Sequence, residues 1–137
     1  MIKAFSHINF GVNDLEKSIH FYCDILGFKK AFELCDEQGN VEVAYLMIQD
    51  SKFIELGHKN NPSVNAGSFK HVCFEVEDME ALIKLLEQHN IPLRTTPKKG
   101  RDQNIQCFVS DPDGNNIEFM QMHPDSPQQK ARKELKF

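Results

Sequence analysis

With 137 residues the chain has room for one domain or two very small ones, and 40% hydrophobic against 26% charged residues suits a globular protein with a core. A formal net charge of −4 argues against a nucleic-acid partner, which wants a basic face. No apolar run approaches the roughly 18–20 residues of a membrane span, and the opening MIKAFSHINF lacks the apolar stretch and small-residue cleavage site of a signal peptide. The expected compartment is therefore the cytoplasm, where Cys23, Cys35, Cys73 and Cys107 are expected reduced and unpaired.

The first element is HINFGV, His7 to Val12, whose alternation marks a strand. A helix follows. Asn13 or Asp14 caps it, and Leu15, Ile19, Tyr22, Ile25 and Leu26 form its apolar stripe. Gly27 stands where a helix commonly stops in the left-handed region. Three short strands are predicted next, around Lys29–Cys35, Val41–Gln49 and Phe53–Gly57, with turns at Gln38-Gly39-Asn40 and Asp50-Ser51. The stretch NNPSVNAG, inside residues 59–67, reads as a linker.

HVCFEV, His71 to Val76, is again an alternating strand. Asp78 caps a second helix striped by Met79, Leu82, Ile83 and Leu86, which ends near Asn90, before Pro92. Strands are predicted around Leu93–Thr96, Ile105–Ser110 and Ile117–Gln121, the last two joined by the turn Asp111-Pro112-Asp113-Gly114. The tail, residues 123–137, is expected to hold a short helix capped by Ser126 with Pro127 in its first turn.

The two halves repeat each other. SHINFGVNDLE and KHVCFEVEDME align at a shift of 64, which pairs His7 with His71, Phe10 with Phe74 and Asp14 with Asp78. Downstream, Phe53-Ile54-Glu55-Leu56 aligns with Asn116-Ile117-Glu118-Phe119 at a shift of 63. The expected fold class is α+β, two tandem βαβββ modules covering residues 1–58 and 68–122.

The repeat also places chemistry. Strand side chains alternate between faces. Ile8, Phe10 and Val12 therefore pack under the helix, while His7, Asn9 and Gly11 face away. Val72, Phe74 and Val76 oppose His71, Cys73 and Glu75 in the same manner. Glu55 and Glu118, each flanked by apolar neighbours, also project from the face without the helix. Two imidazoles and two carboxylates on a sheet that curls would meet in a concavity, where carboxylates without a partner are costly. A divalent cation is the economical partner, and a two-nitrogen, two-oxygen set suits Zn, Ni, Co, Mn or Fe(II) better than calcium. His58 and His123 lie near these strands as possible substrate contacts, whereas His20 and His89 belong to helix surfaces.

These residues resemble the vicinal oxygen chelate superfamily, which includes glyoxalase I, bleomycin- and fosfomycin-resistance proteins, methylmalonyl-CoA epimerase and extradiol dioxygenases. The likeness covers residues 1 to about 122 and rests on SHINFGVNDLEKSIHFYCDILGF, FIELG, FKHVCFEVEDMEAL and FVSDPDGNNIEFMQ. It implies one domain over residues 1–122, with the modules paired into a curved, cup-shaped mixed sheet, helices outside and one divalent metal in the cup. By motif the ligands would be His7, Glu55, His71 and Glu118, the full quartet of glyoxalase I.

The implied activity is a lyase or isomerase that moves a proton next to a carbonyl through a metal-stabilised enediolate, with Glu118 or Glu55 as the base. The implied partners are a small-molecule carbonyl or thiol-adduct substrate and a second copy of the chain. The alternatives are an Fe(II) extradiol-type dioxygenase using His7, His71 and Glu118, with Tyr45, His58 or His123 as candidates beside the substrate, and a ligand-sequestering protein without catalysis. One position departs from the pattern. Glutathione-dependent glyoxalase I carries an arginine four residues after the first histidine ligand, and this chain has Gly11 there. Arg94, Lys98, Lys99 and Arg101 are the candidate cations that could replace it.

Overall fold

The structure is a computed structural model that describes residues 4–50, 52–58 and 67–135. Residues 59–66 of the expected linker and Ser51 of one expected turn lie outside the described residues. The chain divides into two compact units, residues 1–67 and 68–137. Among the described residues no helix is long and apolar enough to cross a membrane.

In the first unit β1 (His7–Val12) leads into α1 (Leu15–Ile19), followed by β2 (Lys29–Cys35), β3 (Val41–Gln49) and β4 (Lys52–His58). The sheet order is β1-β4-β3-β2, with β1 and β4 parallel and the other pairs antiparallel. Asp14 is the cap of α1, its Oδ1 accepting from Lys17 N at 3.0 Å. The helix departs from the expected stripe. After Ile19 it widens into a π-helical turn over His20–Ile25, closed by Leu26 N donating to Phe21 O at 3.1 Å. A turn with one residue more rotates both Phe21 and Tyr22 inward, while Ile19, Ile25 and Leu26 stay half-buried. Tyr22 is fully buried and stacks on Phe10 and Phe28, with Phe21 edge-on to it. Gly27, at φ +81, ends the turn as expected.

The second unit repeats the plan with β5 (Val72–Glu75), α2 (Met79–Gln88), β6 (Thr95–Lys99), β7 (Ile105–Ser110) and β8 (Asn116–Gln121). Its sheet order is β5-β8-β7-β6, with β5 and β8 parallel. Asp78 Oδ1 caps α2 by accepting from Ala81 N at 3.0 Å. β6 is shifted from the expected Leu93–Thr96 to Thr95–Lys99 and runs through Pro97. A strand interior to the sheet would lose a ladder bond there. β6 is the edge strand, so the missing N–H costs nothing, and its register with β7 is irregular between Thr95 and Lys98.

In each unit the core lies between the helix and the alternate residues of the sheet. Val12, Ala44, Leu46, Ile54 and Leu56 are fully buried in the first unit, and Leu86, Val109 and Ile117 in the second. The observed class is therefore α+β, built of two βαβββ modules with mixed four-stranded sheets.

The tail folds onto the second unit. α3 (Pro127–Glu134) is capped by Ser126 Oγ, which accepts from Gln129 N at 3.2 Å. Arg132 grips the Glu75 carboxylate with both guanidinium nitrogens, at 3.1 and 2.5 Å, and Gln128 Nε2 donates to Asp102 Oδ2 at 2.8 Å. Arg132 holds the Glu75 carboxyl below its usual range; for Asp102 it is the bond from Gln128, with help from Asn104. Both groups have depressed folded-state pKa values. Their contribution is complete above the ordinary carboxylate range, near pH 4, and is lost as pH falls toward the depressed values. We expect α3 to loosen in acid before either sheet does. Amide hydrogen exchange near pH 3 should rise first in residues 127–134, and Arg132→Ala should move the onset to higher pH.

Candidate metal centre

The faces turned away from the helices carry the candidate residues. In the first unit, register pairs Asn9 with Glu55 across β1 and β4, and Glu55 with Tyr45 across β4 and β3. His7, Glu55 and Tyr45 therefore share one face. His7 Nε2 stands 3.1 Å from Glu55 Oε2, and Tyr45 Oη donates to that same oxygen at 2.6 Å. Tyr45 lies edge-on to His7, stacks on Phe32 and meets Phe53 edge-on. The bond to Glu55 also raises the Tyr45 phenol above its usual pKa, since losing the proton would leave two anions in contact.

In the second unit, register pairs Cys73 with Glu118 across β5 and β8, and Glu118 with Phe108 across β8 and β7. His71 Nε2 stands 2.9 Å from Glu118 Oε2. The Glu118 side chain is 7% exposed, against 19% for Glu55. Phe108 lies edge-on to His71. Burial, then the charge of Glu118 and a hydrogen bond to it, push the Cys73 thiol up to about 12.

The two pairs fit a divalent cation by their donor chemistry. Ligands bonded side by side to a cation at about 2.1 Å stand about 3 Å apart. The observed separations, 3.1 and 2.9 Å between one imidazole nitrogen and one carboxylate oxygen, have that size, which is also the size of a direct N–H···O contact. The donors come in twos: no group of three or more His, Cys, Asp or Glu side chains suited to a metal ion occurs among the described residues.

The remaining candidates are more dispersed. Arg94 donates to Asn116 Oδ1 at 2.9 Å, while Lys98, Lys99 and Arg101 are exposed on the edge strand and its turn. His58 is exposed at the end of β4. His123 serves the tail, its backbone N donating to Asn104 Oδ1 and its Nδ1 accepting from Asp125 N. His20 pairs with Asp24 on the surface of the first helix, and His89 follows α2.

Two features escaped the sequence reading. Phe108 occupies, at a shift of 63, the position that Tyr45 holds in the first unit, a difference visible once the repeat is extended to β3 and β7. The polar cluster of Asp102 and Gln128 around the buried Asn104 has no counterpart in any motif.

A family model described as the Glyoxalase/Bleomycin resistance protein/Dioxygenase superfamily matches residues 4–119. The chain is 32% identical to the uncharacterized protein YaeR of Escherichia coli K12, over 86% of this chain and 95% of that one. It is 31% identical to a lactoylglutathione lyase of Neisseria meningitidis serogroup A, over 84% and 88% of the two chains. Among solved structures, TnmS3, an antibiotic binding protein from Streptomyces sp. CB03234, aligns with a TM-score of 0.73 at 23% identity over 89% of this chain and 98% of that one, a likeness of fold.

Proposed function

We propose that this chain, which belongs to the Glyoxalase/Bleomycin resistance protein/Dioxygenase superfamily, is a metal-dependent lyase or isomerase of the glyoxalase I type. The observation that carries this reading is the His–Glu contact made twice at repeated positions, His7 with Glu55 and His71 with Glu118. These four residues are the proposed ligands of one divalent ion, Zn, Ni, Co, Mn or Fe(II), the metals that a mixed nitrogen and oxygen set favours. The two pairs act together, within one chain or across two chains of a homodimer. The setting proposed is the cytoplasm.

Such an ion, when bound, supplies Lewis-acid stabilisation of negative charge on adjacent oxygens of a small carbonyl or thiol-adduct substrate. The chain's own residues supply the rest. A carboxylate, Glu118 or Glu55, takes the proton from the carbon beside the carbonyl and returns it to the neighbouring carbon. His7 and His71 stand beside those carboxylates as the nitrogen donors of each pair. Phe53 and Tyr45 beside one pair, and Phe108 beside the other, limit water at the carboxylates.

Gly11 leaves no arginine to hold a glutathione carboxylate at that position, so the proposed substrate class is wider than glutathione adducts. The test is metal analysis of the purified protein followed by a screen with methylglyoxal–thiol hemithioacetals and other epimerisable carbonyl compounds. We expect about one specific divalent ion per four-donor set, turnover that a chelator removes and added metal restores, and weaker metal binding in Glu55→Gln. Oxygen uptake with catechols would instead favour the Fe(II) dioxygenase. Retention of a drug-like ligand after chelation, without turnover, would favour a sequestering protein. Wild-type protein with no specific metal binding would end the enzyme reading.

A further inference from the structure

The two His–Glu pairs differ in one atom that matters. Glu55 Oε2 receives the Tyr45 hydroxyl at 2.6 Å as well as the His7 contact at 3.1 Å. A short O–H···O⁻ bond is among the stronger hydrogen bonds a side chain makes. The Tyr45 ring is itself held, stacked on Phe32 at 4.4 Å and edge-on to Phe53 and His7. The phenol is thus a fixed donor aimed at one carboxylate oxygen. At the repeated position the second unit has Phe108, paired in register with Glu118 as Tyr45 is with Glu55. Phe108 packs on His71 and has no hydroxyl to donate. Cys73, the register neighbour of Glu118 on β5, offers only an S–H, a weak donor.

We infer that Tyr45 is a positioning residue that fixes Glu55 in one orientation, and that Phe108 in its place leaves Glu118 rotationally freer. This deepens the proposed function and rests on it. A carboxylate held by a fixed phenol donor keeps a constant orientation, as a permanent ligand must. A carboxylate that has to leave its contact, receive a proton and come back is better served by few and weak bonds. The duplicated halves thereby divide two tasks that identical halves could not.

The test uses chelator-stripped full-length protein titrated with Co(II), whose visible absorption reports ligand geometry. The variants are Tyr45→Phe, Phe108→Tyr and the double exchange. Tyr45→Phe removes a single oxygen from a ring kept in place by stacking. It should weaken Co(II) binding about tenfold, the low end for loss of a group that orients a ligand, and alter the absorption band. Phe108→Tyr should tighten Co(II) binding and lower turnover of any substrate found, with kcat affected more than KM. The double exchange should recover affinity but not turnover.

Wild-type affinity and spectrum in Tyr45→Phe would overturn the inference while leaving the proposed function intact. So would a Phe108→Tyr protein with unchanged binding and unchanged kcat. Wild-type protein that takes up no Co(II) would overturn both together, and is told apart by that control alone.

Discussion

Glu118→Gln is expected to lower any turnover by about 10²–10⁴, the range for losing a general base, and to make the metal-free protein more stable. The two effects have one cause. Glu118 sits on β8, between β5 and β7, with a side chain 7% exposed. His71 Nε2 stands 2.9 Å from its carboxylate, and Cys73 is its register neighbour on β5. Neither a half-exposed imidazole nor a weak S–H donor matches the hydration that a carboxylate gives up on burial.

Glutamine keeps the shape and one acceptor oxygen, and it adds donors. It therefore relieves burial while removing the proposed metal donor and the proposed base. We expect the apo variant to unfold at a temperature equal to or above wild type. Metal should then raise its midpoint far less than it raises the wild type's, since stabilisation by a ligand follows its affinity. A structural Glu118 would give the reverse, a destabilised apo protein whose response to metal is preserved. Thermal unfolding with and without metal decides between them without any substrate being known. The same logic gives Glu55→Gln a smaller gain in apo stability, because Glu55 is more exposed and already holds the Tyr45 hydroxyl.

The fold was legible because its signals are local and repeated. Asp14 and Asp78 each accept the backbone N–H three residues on, as their place before an apolar stripe requires. Alternation sorted β1 and β5 into two faces, and burial follows it: Phe10 and Val12 are inside while His7, Asn9 and Gly11 are exposed. The widened turn at His20–Ile25 was not legible, because an apolar stripe read at 3.6 residues per turn gives no cue for one extra residue. Leu15, Ile19 and Tyr22 fit that period, and only packing against Phe10 and Phe28 shows Phe21 entering as well. The shift of β6 shares this origin. Pro97 argues against a strand until the sheet order puts it at an edge.

The two His–Glu contacts were legible from the repeat, and their surroundings were not. His7, Glu55, His71 and Glu118 came from a pattern that demands only residue type and facing. That Tyr45 reaches Glu55 depends on the register of β3 against β4, which no short motif encodes. The inferred difference between the two glutamates was invisible for that reason, although the bare difference between Tyr45 and Phe108 stood in the chain.

Register and turn geometry also set the largest stability effect we expect, Asn104→Ala, at about 3 kcal/mol. Such a value suits loss of a buried side chain with several partners. Asn104 is fully buried in the β6–β7 turn. Its amide nitrogen donates to Asp102 Oδ2 at 2.9 Å and to Gln128 Oε1 at 3.2 Å, and its amide oxygen accepts from His123 N at 2.8 Å. One side chain therefore joins the turn, the start of the tail and α3. The turn itself carries strain. Gln103 lies at φ +74, where the matching turn of the first unit has Gly39 at φ +86. Gly100 is hemmed in as well, since a Cβ there would stand 2.6 Å from Asp102 Oδ1.

Alanine at position 104 would strand the His123 N–H, free Gln128 from half of its contacts and leave the strained turn without its anchor. Gln128→Ala removes only the α3 side of the cluster and should cost about 1 kcal/mol, the ordinary value for a hydrogen-bonded side chain. Urea unfolding measures both. Hydrogen exchange adds a spatial check, because Asn104→Ala should raise exchange in the β6–β7 turn and in α3 together, whereas Gln128→Ala should raise it in α3 alone. An Asn104→Ala protein within about 0.5 kcal/mol of wild type, the range of ordinary surface substitutions, would show that the turn and the tail are held by something other than this amide.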